Sequence, residues 1–445
     1  MTHRGAILTG GATVALVVLA IGTASRYFGS DRRAALLAQY ERARTLGLPG
    51  EMADLWPAPK SPSANAAPLY TALGTGHGLR EAREETDKVG YPTTPAQARA
   101  LRKALLPYDG SLRDFERLAA LPECRFVRTP SLTVLLPEYA TLKSGVAALA
   151  GRARLEAAEG DPMKAMGTLD AAARTSGHAG VESIFVAKLV AVATQAITLR
   201  AAQEILGDYG KRAHVRAAAR KVLADLGPLP SVKDGMKGEW AFQKGTMEGL
   251  ANGTVKLDGM LDMSASPGVS TPVSGPRLTL ATLSLRTPGG LAEQSAFTAR
   301  AFLNYYEALS EDPANLTEAR GAYAALLHEI EDGGGLAVLA SAMTVQLGGI
   351  SEAAARAVVE RRAFKGLLNA LDDPTPPKSL PLTGPEGIDP FSGELLLYRA
   401  GPEGIRVWSV GPNGKDDGGL PKHLEGVDDI AAIWPYAKSV PKAEL

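Results

Sequence analysis

Cysteine is almost absent from this 445-residue chain, where Cys124 stands alone. A single thiol excludes an intrachain disulfide framework and a cysteine-based zinc site. In the stretch "LPECRFV" it reads as a small buried hydrophobe rather than a nucleophile. Aromatic residues are scarce at 6%, which favours helices packed through small side chains over a β-sandwich. Neither sign of charge is in excess: Lys+Arg and Asp+Glu are both 48. No overall field therefore draws the chain to nucleic acid or another polyanion. Histidines number six, and no two have the helical spacing of metal ligands. The Gly-x-Ser-x-Gly elbow and the Walker A lysine loop are both missing. "HEIED" puts Asp332 where a zincin needs its second histidine, which argues against a zinc protease. "GTGHG", starting at Gly74, lacks the flanking strand and third glycine of a dinucleotide loop and reads as a turn.

What is present begins at the N-terminus. Between Arg4 and Arg26 lie 21 residues, "GAILTGGATVALVVLAIGTAS", without a charged side chain. At 1.5 Å per residue they span roughly 30 Å, the thickness of a bilayer core. The choice is between an uncleaved signal anchor and a cleavable signal peptide. Gly22-Thr23-Ala24 has the small-x-small form that favours cleavage. The length of the run and its diluting glycines favour an anchor, and Arg32 and Arg33 after it slightly oppose export. The expectation is a signal anchor in residues 1–30, crossing at about 6–25, with the bulk outside the cytoplasm. Cleavage would make the protein secreted.

From Asp31 the pattern is helical, and the expected fold is mainly α: an irregular helical bundle or helical-hairpin body with a small C-terminal antiparallel β module. The body runs over 31–249. Asn65 reads as the cap of one helix. Thr94 and Pro95 start another that stops at Gly110. Asp161 with Pro162 begins a further helix after the "EGDPMKA" turn, a helix-turn-helix arrangement like that of tetratricopeptide hairpins. "IFVAKLVAVATQAITL" is apolar on nearly every side, as a core helix is. Lys188 and Arg200 cut its uncharged stretch too short for a membrane. Residues 250–290 form a Ser/Thr/Pro/Gly-rich linker with room for a short strand or helix at "RLTLATLSL". Helices resume over 291–375, the last starting at a Ser351 cap. Within 380–436 the period becomes two: "GELLLYRAGPEGIRVWSVG" is a hairpin turned at Gly401-Pro402-Glu403-Gly404, and "GVDDIAAIWP" is a third strand.

Between the hairpin and that strand lies "SVGPNGKDDGG", Ser409 to Gly419. Calcium takes six to eight oxygens, from carboxylates and from carbonyls of a glycine-bearing loop. Asn413, Asp416, Asp417, Asp428 and Asp429 offer side-chain oxygens, and Gly411, Gly414, Gly418 and Gly419 let carbonyls turn inward. The loop is no EF-hand, because Lys415 holds the third position and Leu424 the place of the bidentate glutamate. The competing reading is a solvated loop that merely reverses the chain.

"DPFSGELLLYRA…IRVWSVGPNGKDDGG…VDDI", Asp389 to Ile430, resembles the C-terminal region of the major pseudopilin of type II secretion. That resemblance implies a calcium-binding loop that holds the C-terminal strands together, with Asp428 or Asp429 as the closing aspartate. Asn413 stands where that family usually has aspartate, which lowers the charge offered to the ion. The pseudopilin processing site does not precede the apolar run. The whole layout resembles a group of large membrane-anchored planctomycete-type bacterial proteins of uncharacterised activity. "SANAAPLYTAL", Ser63 to Leu73, and the C-terminal module carry that likeness, which implies architecture and location but no reaction. The functional expectation is a non-enzymatic interaction scaffold in the bacterial envelope. Its partners are the membrane, through the N-terminal helix, and envelope proteins, not nucleic acid. The alternatives are an envelope hydrolase without a readable motif and a component of a secretion or pilus-like assembly.

Overall fold

The computed structural model describes residues 31–75, 78–92, 94–257, 283–344, 347–419 and 428–436. The apolar run Gly5–Ser25 and most of the 250–290 linker lie outside the described residues. The described chain is mainly helical, with one small antiparallel sheet near the C-terminus. It divides into two compact units.

One unit comprises the described parts of Met1–Met52, with Trp240–Leu309 and Gly321–Leu347. Its first helix, α1, covers 31–45. Trp240 is its largest buried side chain, edge-on to Tyr40 at 6.0 Å and tilted against Phe302 at 5.6 Å. Its indole N–H donates to the Pro49 carbonyl at 3.2 Å. That bond matters because a buried indole N–H without an acceptor is costly.

The second unit comprises Ala53–Glu239, Ser310–Arg320 and Gly348–Leu445. It is built on α2 (Ala67–Thr75), α3 (Leu79–Val89), α4 (Pro95–Leu105), α5 (Asp109–Ala119), α6 (Pro137–Ala158), α7 (Pro162–Ala179), α8 (Phe185–Tyr209) and α9 (Ala213–Ala224). α6, α7 and α8 pack on one another, with α3 on α6 and α9 on α7. The contact surfaces are small: Ala150, Ala153, Ala157, Ala165, Ala173, Ala201 and Ala202 sit in one core with Leu169, Ile205 and Phe364. Small residues let helix axes approach closely, which is how an aromatic-poor chain reaches normal packing density. Gly151 lies directly against Thr86 of α3, and Gly145 against the Phe115 ring.

The local start signals act as their chemistry dictates. Asn65 Oδ1 accepts the Ala67 N–H that opens α2 and the Arg125 N–H at 2.8 Å. Thr94 and Gln97 form a reciprocal capping box, and Asp161 Oδ1 accepts the Lys164 N–H. Two expectations need correction. Gly110 does not end a helix: α4 stops at Leu105, a 3₁₀ turn follows, and Gly110 lies in the first turn of α5. Ser351 does not begin one either. The last helix, α14 after α10 (Val232–Asn252), α11 (Pro288–Ala308), α12 (Leu316–Gly333) and α13 (Val338–Thr344), runs from Leu347 to Asp372. Ser351 is buried inside it, so tertiary packing overrides a local cap signal.

α8 is long and apolar enough to cross a membrane by length and composition, with half of its apolar window buried. Lys188 is buried within it and donates to the Gly180 carbonyl and Asp234, both at 2.7 Å.

The sheet has the order β1-β2-β3, with β1 Leu397–Gly401, β2 Gly404–Ser409 and β3 Ile430–Trp434. The hairpin closes where Gly401 pairs with Gly404. Leu382, Leu396, Ile405, Val407, Ile430 and Ala432 pack on Val359, Ala363, Leu367 and Ala370 of α14. The end of β3 meets α8, where Trp434 Nε1 donates to the Leu206 carbonyl at 2.8 Å.

Candidate metal centre in the C-terminal loop

The loop after β2 folds back over the outer face of the sheet. Trp408 is its anchor: the ring is buried and Nε1 donates to Asp416 Oδ1 at 2.9 Å. The same oxygen accepts the Gly418 N–H at 2.8 Å. Gly419, at φ 63°, lies flat on the indole, where an added Cβ would stand 2.8 Å from Cδ2. Gly411, at φ 64°, lies against the Asp428 carbonyl with no room for a Cβ. Two of the four glycines are therefore demanded by close approach as well as by backbone conformation.

Four of the five expected donors, Asn413, Asp416, Asp417 and Asp429, take part in the loop's own hydrogen bonds. Asn413 Oδ1 accepts the Lys415 N–H at 2.8 Å, and its amide approaches Asp417 Oδ2 at 3.4 Å. Asp417 Oδ2 accepts the Asp428 N–H at 3.0 Å. Asp429 Oδ2 accepts the Gly419 N–H at 2.8 Å. Asp428 contributes its backbone N–H and carbonyl to the closure, and its carboxylate makes no hydrogen bond among the described residues.

Sequence reasoning missed Asp389, which is buried. Its Oδ1 accepts from the Phe391 N–H at 3.0 Å and the Ser409 hydroxyl at 2.8 Å. Its Oδ2 accepts from Ser392 and the Val410 N–H, both at 3.2 Å. It ties the "DPFSG" turn to the start of the loop. The Asp-Pro-x-Ser-Gly order was the available signal, since Asp followed by Ser and Gly is turn-forming chemistry.

Asp429 is only 2% exposed, and its Oδ1 makes no hydrogen bond among the described residues. Burial raises its pKa above the ordinary aspartate range; the Gly419 and Asp417 amides oppose the rise, and the charges of Asp417 and Asp416 add to it. The charges of Asp417 and Asp416 thus act on a carboxylate that keeps an orphaned, buried oxygen, an arrangement a hard cation would relieve. Asp416, Asp417 and Asp429 would supply the carboxylates, with Asn413 as a neutral oxygen. Among the described residues, no three His, Cys, Asp or Glu side chains are already close enough to hold an ion together. Binding would therefore require the loop to draw in.

The shift has a sign. A carboxyl whose folded-state pKa is raised keeps its proton better folded than unfolded, so stability falls as pH rises from the ordinary aspartate range through the raised value. In chelator, Asp429→Asn is expected to remove that fall, read from thermal melts between pH 3.5 and 7. Parallel pH profiles for the two proteins would refute the assignment.

A second polar cluster lies inside the helical body. Arg128, 5% exposed at its side chain, pairs with Glu138 and with Glu182 at 3.2 Å. The Tyr139 hydroxyl donates to Glu182 at 2.6 Å, and the guanidinium lies over Phe126 and Tyr139. Burial alone would lower the Arg128 pKa, but Glu182 and Glu138 outweigh it and hold it above the usual value. Cys124 is buried, and desolvation followed by the Glu182 charge pushes its thiol far up. It is a packed side chain and not a thiolate. His178 bridges Tyr70 at 3.1 Å and the Leu121 carbonyl at 2.9 Å. The carbonyl requires the proton on Nε2, leaving Nδ1 to accept from tyrosine. Burial lowers this histidine's pKa. These groups satisfy one another, as an interior network must.

Compared with family models, curated proteins and solved structures, the chain finds no match in any of the three.

Proposed function

We propose that this protein is a membrane-anchored, extracytoplasmic helical scaffold with no catalytic role, and that a calcium-stabilised C-terminal sheet is built into its body. The observation that carries this reading is how the polar chemistry is used. Arg128, Glu138 and Glu182 of the helical interior pair with one another, whereas in the C-terminal loop Asp429 keeps a buried oxygen without a partner among the described residues and feels the charges of Asp417 and Asp416. The apolar run at Gly5–Ser25, with Arg4 and Arg26 beside it, supports the anchor.

The calcium reading is tested by melting the full chain with calcium and with chelator. A ligand that binds only the folded state stabilises it by RT ln(1 + [L]/Kd), about 2.7 kcal/mol at a hundredfold excess over Kd. Calcium is expected to raise the melting temperature, and Asp417→Ala to abolish the rise. An unchanged melt in chelator would sink the calcium reading. For the anchor, a reporter fused after Leu445 is expected to be active outside the cytoplasm. Activity confined to the inside would overturn the location.

A further inference from the structure

The unit that begins with α1 holds a cleft of about 1010 Å³ between α1, the end of α10 with the residues just after it, and the start of α11. Its buried members are apolar: Met247, Leu285 and Leu291. Leu36, Leu250 and Leu257, half-buried, continue that surface outward. Its exposed members include Arg33, Lys256 and Arg286. The one acid among the described lining residues, Glu248, is already held by Lys244 at 2.8 Å. Thr287, Pro288 and Gly289 bring the N-terminus of α11, the positive end of a 21-residue helix, to the same mouth. Tyr40 also lines the cleft, and its hydroxyl is buried without a hydrogen-bond partner among the described residues, a costly state. The chain's connectivity fixes where this cleft lies relative to the apolar run. Residues 26–30 alone separate Ser25, the end of the run, from Asp31, the start of α1. At about 3.5 Å per residue at most, Asp31 lies within roughly 20 Å of Ser25 whatever the conformation between them.

We infer that this cleft binds an anionic glycerophospholipid from the membrane that holds the run, with an acyl chain over Met247, Leu285 and Leu291 and the phosphate at the cationic mouth. The inference rests on the anchor reading and is independent of the calcium loop. A free inorganic anion would satisfy the mouth but leave the apolar floor wet. A plain hydrocarbon would cover the floor and use neither the cations nor the hydroxyl. A phospholipid uses all three, because its phosphate and ester oxygens are acceptors for Tyr40 as well as for the cations. The tether then supplies the ligand: a membrane-spanning run keeps the first turns of α1 beside the headgroup layer, where such lipids are concentrated.

The test reconstitutes the full chain in phosphatidylcholine vesicles that carry a trace of phosphatidylglycerol with a photoreactive diazirine at its acyl end. Adducts are mapped by peptide mass spectrometry, with labelling of the apolar run as the internal standard. Adducts are expected within 247–257 and 285–291. The double substitution Arg33→Gln, Lys256→Gln, both on the surface, should cut cleft labelling at least about fivefold without moving the melting temperature, since a cation near an anionic headgroup contributes about that factor. Leu250→Trp should abolish it by filling the cleft, and a diazirine phosphatidylcholine should label it at least about fivefold less. A labelled run with an unlabelled cleft, equal labelling by the phosphatidylcholine reagent, or full competition by equimolar palmitate would each overturn the site. So would a disulfide formed between Leu250→Cys and Leu278→Cys, which would show that the chain's own residues 258–282 fill it. Flotation separates this inference from the anchor: a chain that does not float with the vesicles sinks both, whereas one that floats with its cleft unlabelled sinks the lipid site alone.

Discussion

Arg128→Met is expected to destabilise the helical body by about 3–5 kcal/mol, because it leaves two buried carboxylates without their cation. Glu138 and Glu182 are 7% and 6% exposed at their side chains. After the substitution Glu182 keeps the Tyr139 hydroxyl, while Glu138 loses its guanidinium. Urea denaturation at pH 7 measures the loss. The deficit should shrink as pH falls, since an unpaired buried carboxylate relieves its cost by taking up a proton. Adding Glu138→Gln and Glu182→Gln to Arg128→Met should recover a large share of it. Arg128→Lys should fall between, because one ammonium cannot reproduce a fork that reaches two carboxylates from different sides. A loss below about 1 kcal/mol for Arg128→Met, the range of an exposed pair, would show that the cluster is hydrated and not a structural clamp.

Trp408→Ala carries the second large effect, expected at about 3–5 kcal/mol by the usual cost of emptying a buried aromatic site. The loss should be concentrated in the C-terminal sheet, whose outer face the indole covers beneath Gly419 and Asp416. Trp408→Phe separates the two contributions. It keeps much of the apolar cover but removes the indole N–H, and is expected to cost about 1–3 kcal/mol. Hydrogen exchange at the β2 and β3 amides locates the change. If Trp408→Ala leaves their protection intact, the loop does not hold the sheet.

The hairpin was legible in the sequence because its determinants are local: a two-residue period on both sides of Gly401-Pro402-Glu403-Gly404 produces the pairing of Leu397 with Trp408. The caps at Asn65, Thr94 and Asp161 were readable for the same reason. What the sequence hid were partnerships across distance. Asp389 becomes an organising residue only when Ser409 is brought to it, and Arg128 only when the connection between α7 and α8 delivers Glu182 to its side. Local signals also misled where packing prevailed, as at Gly110 within α5 and Ser351 within α14. In the loop, the donor types were visible, but the indole beneath them was not. Composition cannot report that Asp416 Oδ1 is held by Trp408, or that Asp429 retains an oxygen without a partner among the described residues.

The hydrogen bond from Trp434 to the Leu206 carbonyl joins residues 228 apart in the chain. At roughly 5–20 residues per second of synthesis, the last turn of α8 waits about 10–45 s for that partner to exist. Gly207 and Gly210 keep its surface bare, since a side chain at either would meet Tyr436 or Trp434. During that interval the growing chain exposes an apolar helix end with its dock vacant. The end of α8 is thus covered only once β3 has been made, and a nascent chain that stalls before Trp434 leaves that helix end uncovered.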